Sequence, residues 1–305
     1  MDFMKKYEYW LNSDSIDEKD KEELRGLKDN PKEIEDRFFK DLSFGTGGIR
    51  GVRGIGTNRI NKYVIRKATQ GLANYMLTFN EKEAKEQGII IAHDCRIGSR
   101  EYALNTARVM AANGIKAYIY EDLRSTPELS FGVRYKGTMA GIVVTASHNP
   151  VEYNGYKVYW NDGAQVVDPH ATLIVDEVNK ISTLEEIKVI SEENGREKGL
   201  IIQLDNKIDD DYIKEIKKQT IISEIQGKES FKIVYTPLHG TGGRPMERIL
   251  TDFGYSYEVV KEQIKPDGNF PTVTYANPEE IAAFNLGTKL ADETGAKIVM
   301  ANDPD

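Results

Sequence analysis

The chain has 305 residues, of which 39% are hydrophobic and 30% charged, with a formal net charge of −8 and a mean hydropathy of −0.52. At ~150 residues per domain, this is the length of two soluble domains with ordinary cores. No apolar run approaches the ~20 residues that span a bilayer, Lys and Arg form no basic stripe of the kind that binds nucleic acid, and the single Cys95 excludes an intramolecular disulfide or a cysteine metal cluster. The N-terminus also lacks an apolar signal core. The expectation is a cytoplasmic protein with neither nucleic acid nor membrane among its partners.

The stretch up to residue 40 is charged and helix-like, with Asp and Ser as candidate N-caps in "DSIDEKDKEELRGL". The glycine-dense "FGTGGIRGVRGIGTNRIN" that follows excludes a regular helix and predicts a loop or edge strand with free backbone amides. "KYVIRKATQGLANYMLTF" then carries apolar residues at helical spacing. From residue 88 the pattern alternates. "GIIIAHD", "IKAYIYED" and "TMAGIVVT" read as strands. "REYALNTARVMAANG" and "STPELSFGVRYKG" read as helices, the second capped by Ser125 or Thr126 with Pro127 in its first turn. "GYKVYW" reads as a further strand, antiparallel to its neighbour.

Between residues 180 and 210 the chain becomes strongly polar, and a second strand–helix set begins at "FKIVYTPLHGTGGRPMERILTDFG", ending in the strand "AKIVMANDPD". The rhythm predicts an α/β fold: two α/β domains, each with a mixed, largely parallel sheet sandwiched by helices. The expected division is residues 1–205 and 206–305, with a boundary just after the helix "IDDDYIKEIKKQT" as the alternative. The chain stops directly after a strand tip, where a loop and helix would normally follow, so the expectation is a piece of a longer protein.

In open α/β sheets ligands bind beyond the carboxyl ends of the strands. "VVTASHNP" and "VMANDPD" both occupy such positions. The first offers the Ser147 hydroxyl, the His148 imidazole and the Asn149 amide. The second offers Asp303 and Asp305, whose mutual repulsion a hard cation would relieve. By spacing alone, D-P-D is equally a turn with an Asp cap, Ser147 a turn residue, and Lys157 a solvated strand lysine. No G-x-S-x-G elbow surrounds Ser147, which argues against a serine hydrolase. "FGTGGIRGVRG" supplies amides together with Arg50 and Arg53, a combination suited to an oxyanion, but it is not a Walker loop. "PLHGTGGRP", with His239 and Arg244, reads first as a tight strand-to-helix turn.

Together these segments resemble the α-D-phosphohexomutases, the family that includes phosphoglucomutase and phosphomannomutase. "TASHNP" matches that family's phosphoserine loop, and "EYNGYK" the segment bearing its lysine. "FGTGGIRG" followed by "GTNRIN" looks like the arginine loop of the bacterial phosphoglucomutases, and "NDPD" like the start of a D-x-D-x-D-R metal loop. The resemblance implies that Ser147 carries the transferred phosphoryl group, and that Ser147, Asp303 and Asp305 hold Mg²⁺. It makes Lys157 the general acid/base, has Arg50 orient the phosphoserine or the proton relay, and has His148 support the loop or proton transfer. Thr46, Gly47, Arg50 and Asn149 would contact phosphate. The implied reaction interconverts hexose 1-phosphate and hexose 6-phosphate through a bisphosphate, with glucose 1,6-bisphosphate as primer; mannose or pentose phosphates are alternatives. The third aspartate and the arginine of the metal loop, and the family's later domains, would lie beyond Asp305, so this chain alone is expected to be weakly active or inactive. A non-catalytic pair of phosphate- or metal-binding domains is the competing expectation.

Overall fold

In the computed structural model, residues 2–45, 47–222 and 225–305 are described. Among them, nine strands form two sheets. The first contains β1 (Gly48–Val52), β2 (Ile89–His93), β3 (Ala117–Ile119), β4 (Ala140–Val144), β5 (Tyr153–Trp160) and β6 (Ile201–Gln203), in the order β1-β5-β4-β2-β3-β6. β2, β3, β4 and β6 pair in parallel, while β5 runs antiparallel to both β1 and β4.

Unbroken apolar strands need cover on both faces, and here they have it. Ile89 and Ile91 of β2 pack with Ala68, Leu72, Met76, Ala107 and Met110 of the helices Lys62–Gln87 and Ser99–Ala112. The intervening Ile90 and Ala92 point the other way, against Leu129 and Val133 of the helix Thr126–Lys136. That helix starts with a capping box: the Ser125 hydroxyl accepts from the Glu128 N–H at 3.3 Å, and the Glu128 carboxylate accepts from the Ser125 N–H at 2.9 Å.

Ile208 of the helix Lys207–Lys218 joins this second cluster. The helix therefore packs on the first sheet, although the sequence reading groups it with the second half, and we propose placing the division after Lys218. Its polar face serves both sides. Asp209 takes a bidentate pair from Arg124 at 2.8 Å and a second arginine, Arg244, at 3.0 Å. Asp210 pairs with Arg248 at 2.6 Å and Lys217 with Asp252 at 2.6 Å. The N-terminal helices Phe3–Asn12, Glu18–Arg25 and Pro31–Phe38 make a small core of their own around Trp10, Leu24, Ile34 and Phe38, docked on Tyr63.

The second sheet contains β7 (Ile233–Thr236), β8 (Tyr257–Val259) and β9 (Ile298–Ala301), in the order β8-β7-β9. Both pairings are parallel, in keeping with the largely parallel sheets that the sequence predicts. Helix Gly243–Asp252 covers one face through Met246 and Leu250, and helix Asn285–Thr294 the other through Leu290 and Ala291. Among the described residues no helix is long and apolar enough to cross a membrane.

The glycine-dense segment becomes the edge strand β1, with Gly48 opposite Lys157 of β5. Gly48 has φ 153, and a Cβ there would run into the Tyr156 carbonyl. Gly48→Ala should therefore cost about 1–3 kcal/mol of backbone strain, seen as a lower midpoint of urea unfolding. An unchanged midpoint would mean that β1 can shift freely along the sheet edge.

Candidate active site

β4 ends at Val144, and the chain passes through Thr145 to Pro150 before returning as β5. Ser147 has φ 54, a left-handed backbone that few non-glycine residues adopt. Its N–H donates to the Thr145 hydroxyl at 2.8 Å, and the Asn149 N–H donates to the Ala146 carbonyl at 3.1 Å. In the second sheet, β9 gives way to Asn302 through Asp305. Two bonds fix this tip: the Tyr235 hydroxyl donates to Asn302 Oδ1 at 2.8 Å, and the Thr241 N–H to the Pro304 carbonyl at 2.9 Å.

The two tips meet. Ser147 Oγ donates to Asp303 Oδ1 at 2.8 Å, and His148 Nδ1 lies 2.7 Å from Asp303 Oδ2. Lys157 Nζ donates to Asp305 Oδ2 at 2.6 Å, and the Thr126 hydroxyl lies 3.3 Å from the same oxygen. Strand alternation explains the placement of Lys157: Tyr156 and Val158 of β5 point into the large core, so Lys157 points to the opposite face. Burial disfavours the charged form of both carboxylates. In Asp303 burial wins, reinforced by the neighbouring Asp305, and its carboxyl lies above the usual range. In Asp305 burial is the largest single influence, but the Lys157 ammonium and the hydrogen bonds with Asp303 and Ser147 together outweigh it and hold the carboxyl below that range.

The remaining expected residues divide. Arg50, exposed on β1, donates to Asn149 Oδ1 at 2.8 Å and so reaches the serine loop. Gly47 is buried at the sheet edge, where its carbonyl accepts from the Val158 N–H at 2.9 Å and from Gln165 Nε2 at 3.1 Å. Thr46 lies outside the described residues. "PLHGTGGRP" forms a buried turn: Leu238 and His239 have φ 47 and 63, and His239 Nε2 lies 2.8 Å from the Thr272 hydroxyl.

Sequence reasoning missed Arg96, Thr126 and Thr145. Arg96 follows the tip of β2, the strand beside β4, and strand-tip position is the signal that could have found it. Its guanidinium donates to the carbonyls of Ser147 at 2.6 Å, Pro150 at 2.9 Å, Tyr153 at 3.1 Å, and Asn149. Asp94 lies alongside, with Oδ1 accepting from the Ser99 hydroxyl at 2.6 Å and from the Arg96 N–H at 2.9 Å.

The oxygens of Ser147, Asp303 and Asp305 form a hard, anionic donor set, of the kind Mg²⁺ takes. Among the described residues no three acidic, His or Cys side chains cluster as metal ligands; the donor set here is two carboxylates and one hydroxyl oxygen. The residues present fit such an ion.

Fold and cleft together define a two-unit α/β protein whose polar cluster lies at the carboxyl ends of its strands. Residues 41–185 match phosphoglucomutase/phosphomannomutase alpha/beta/alpha domain I, and residues 210–305 match domain II. The chain belongs to the phosphoglucomutase/phosphomannomutase family. It is 41% identical over 265 residues to a phosphoglucomutase of Staphylococcus saprophyticus, covering 87% of this chain and 47% of that protein. A phosphoglucomutase of Staphylococcus haemolyticus is 38% identical over 272 residues, covering 89% and 48%. The chain thus spans about half the length of the curated relatives it matches. Among solved structures, a phosphoglucomutase/phosphomannomutase family protein from Burkholderia thailandensis superposes with TM-score 0.67 at 22% identity, covering 87% of this chain and 53% of that one. Parafusin from Paramecium, in an open form, gives 0.63 at 20% identity, covering 87% and 51%. These two likenesses are of fold.

His93, at the end of β2, is buried, and its Nδ1–H donates to the Asp94 carbonyl at 2.8 Å. Burial pushes its imidazole below the usual range, so it stays neutral in the fold while the unfolded chain takes up protons near pH ~6.5. His239 is buried and shifted the same way. Stability should therefore be full above that pH, decline as pH falls through it, and level off below the folded-state values. Urea midpoints between about pH 7 and 5 should show this slope, and His93→Gln should flatten part of it; an unaltered slope would remove His93 as a cause.

Proposed function

We propose that this chain is the phosphoserine-bearing and metal-binding half of a cytoplasmic hexose-phosphate mutase, with Ser147 as the group that carries the phosphoryl. The observation that carries this reading is the convergence of Ser147 Oγ on Asp303 at 2.8 Å, with Lys157 and Asp305 beside them at the two strand tips. The substrate class is a sugar phosphate. The phosphoryl leaves Ser147 Oγ for a hydroxyl of the sugar monophosphate: the P–Oγ bond breaks and a P–O bond to the sugar forms. The resulting bisphosphate turns over and returns its other phosphoryl to Ser147. A bisphosphate primer, glucose 1,6-bisphosphate for a glucose substrate, would load the serine at the start.

Phosphoryl transfer depends on alignment and charge neutralisation, and each neighbour has a role in that scheme. Lys157 serves as the base after its ammonium has given one proton to solvent: the amine takes the proton of the attacking sugar hydroxyl and returns it on the way back. Arg50 and Asn149 form a donor pair for phosphate oxygens, and His148, beside Asp303, supports the loop. Ser147, Asp303 and Asp305 would hold Mg²⁺, which when bound neutralises charge developing on the transferred group. We place sugar recognition in the further length that the curated relatives have and this chain does not span.

The test begins with intact mass. A species about 80 Da heavier than the sequence mass should be present and should vanish in Ser147→Ala. In the protein extended to the length of its relatives, Lys157→Ala should lower turnover of glucose 1-phosphate by about 10²–10⁴-fold without changing the circular dichroism. A heavier species that survives Ser147→Ala, or no turnover by the extended protein on glucose, mannose or pentose phosphates, would leave a non-catalytic phosphate-binding protein instead.

A further inference from the structure

We infer that Arg96 is a positioning residue that fixes where the Ser147 hydroxyl points, and that it couples this position to the docking of the unit carrying Asp303. The inference rests on the role of Ser147 given above. A serine at φ 54 is in a sparsely populated conformation, which persists only where its surroundings over-determine it. Ser147 has a local tie, from its own N–H to the Thr145 hydroxyl. Besides that tie and the Oγ bond to Asp303, the loop backbone is held by Arg96, whose planar fork gathers the carbonyls of Ser147, Asn149 and Pro150 on one limb of the loop and of Tyr153 on the other.

Those four bonds occupy the terminal nitrogens of the guanidinium, whose side chain is fully buried, and Nε lies 3.5 Å from Asp94 Oδ2. Nε is left without a hydrogen-bond partner, but it is buried; Arg96 therefore presents no exposed donor to a substrate phosphate, and acts on the reaction through Ser147. The second unit closes over the same group. The Phe270 ring lies 5.0 Å from the guanidinium carbon. Gly268 packs so tightly on the chain around Arg96 that a Cβ there would lie 2.6 Å from the Cys95 carbonyl and 2.8 Å from the Ile97 nitrogen. One buried side chain thus touches the serine loop on one side and the carboxylate-bearing unit on the other.

Arg96→Lys separates this role from bulk stability, because an ammonium keeps the charge but cannot span four carbonyls on two limbs. Hydrogen exchange on the protein should show faster exchange at the Ser147 and Asn149 amides, with β2 and β4 unchanged. In the protein extended to its relatives' length, kcat per folded molecule should fall about 100-fold, the scale of a misplacement of roughly 1 Å. KM should stay within about two-fold, since the substrate is not held by Arg96. Phe270→Leu leaves all four carbonyl bonds in place and should lower kcat less, again at constant KM. If Arg96→Lys does not fold, Phe270→Leu still decides the coupling, and the same exchange and kcat measurements on Arg96→Gln decide the positioning. Wild-type exchange and kcat in Arg96→Lys, or a loss proportional only to the unfolded fraction, would overturn the positioning role, and a wild-type kcat in Phe270→Leu would overturn the coupling. Absence of mutase activity in the unaltered extended protein would instead defeat the functional reading, and the exchange data would still judge Arg96.

Discussion

The contact between Lys157 and Asp305 governs how the two halves of the cleft can meet. Asp303 and Asp305 are separated by one residue, and bringing both into a partly enclosed cleft concentrates negative charge that bulk water no longer screens. Lys157 compensates for one of them directly, and its location is not adjustable. Within β5 it lies opposite Gly48 of β1 on one side and Val143 of β4 on the other. The backbone of Lys157 is thus fixed by two ladders of hydrogen bonds, and the tip of β9 has to come within reach of its side chain. A pair of this kind adds little net stability once desolvation is counted, but it penalises every other placement of the second unit, and so contributes specificity.

Much of the fold was legible in the sequence because buried parallel strands are unbroken apolar runs, and "GIIIAHD" and "TMAGIVVT" can hardly be anything else. The Ser125 cap and the turn at "PLHGTGGRP" follow from local chemistry and needed no tertiary knowledge. The serine loop and the D-P-D tip were visible as strand-end motifs. Their encounter was not, since it depends on how two sheets dock. Arg96 was missed for a related reason: its bonds go to backbone carbonyls, which leave no trace in side-chain patterns, and its value depends on β2 lying beside β4. The contacts of the helix Lys207–Lys218 were not legible, because an amphipathic pattern says that a helix has an apolar face and not which sheet will receive it.

That helix is also how the two units hold together. Its apolar side belongs to the first core through Ile208, and its charged side offers Asp209, Asp210 and Lys217 to partners on the helix Gly243–Asp252. The pairs of Asp210 and Lys217 are solvent-exposed and individually weak, whereas Asp209 is buried. Spread along two helices, they fix an orientation, which a single strong pair would not. The close packing at Gly268 and the ring of Phe270 then supply the short-range fit.

Ser147 and Asp303 lie 156 residues apart along the chain, and this separation orders events in time. Contacts so distant in sequence close late, after the local strand–helix units that flank them. During synthesis the first sheet can be complete while β9 is still unmade, since domains fold as units from the N-terminal side. In that interval the Ser147 loop, with Arg96 already beneath it, projects a hydroxyl that has no carboxylate to meet. The polar cluster is therefore assembled after the first sheet, and a chain synthesised only through that sheet has its serine without the acidic half of the site.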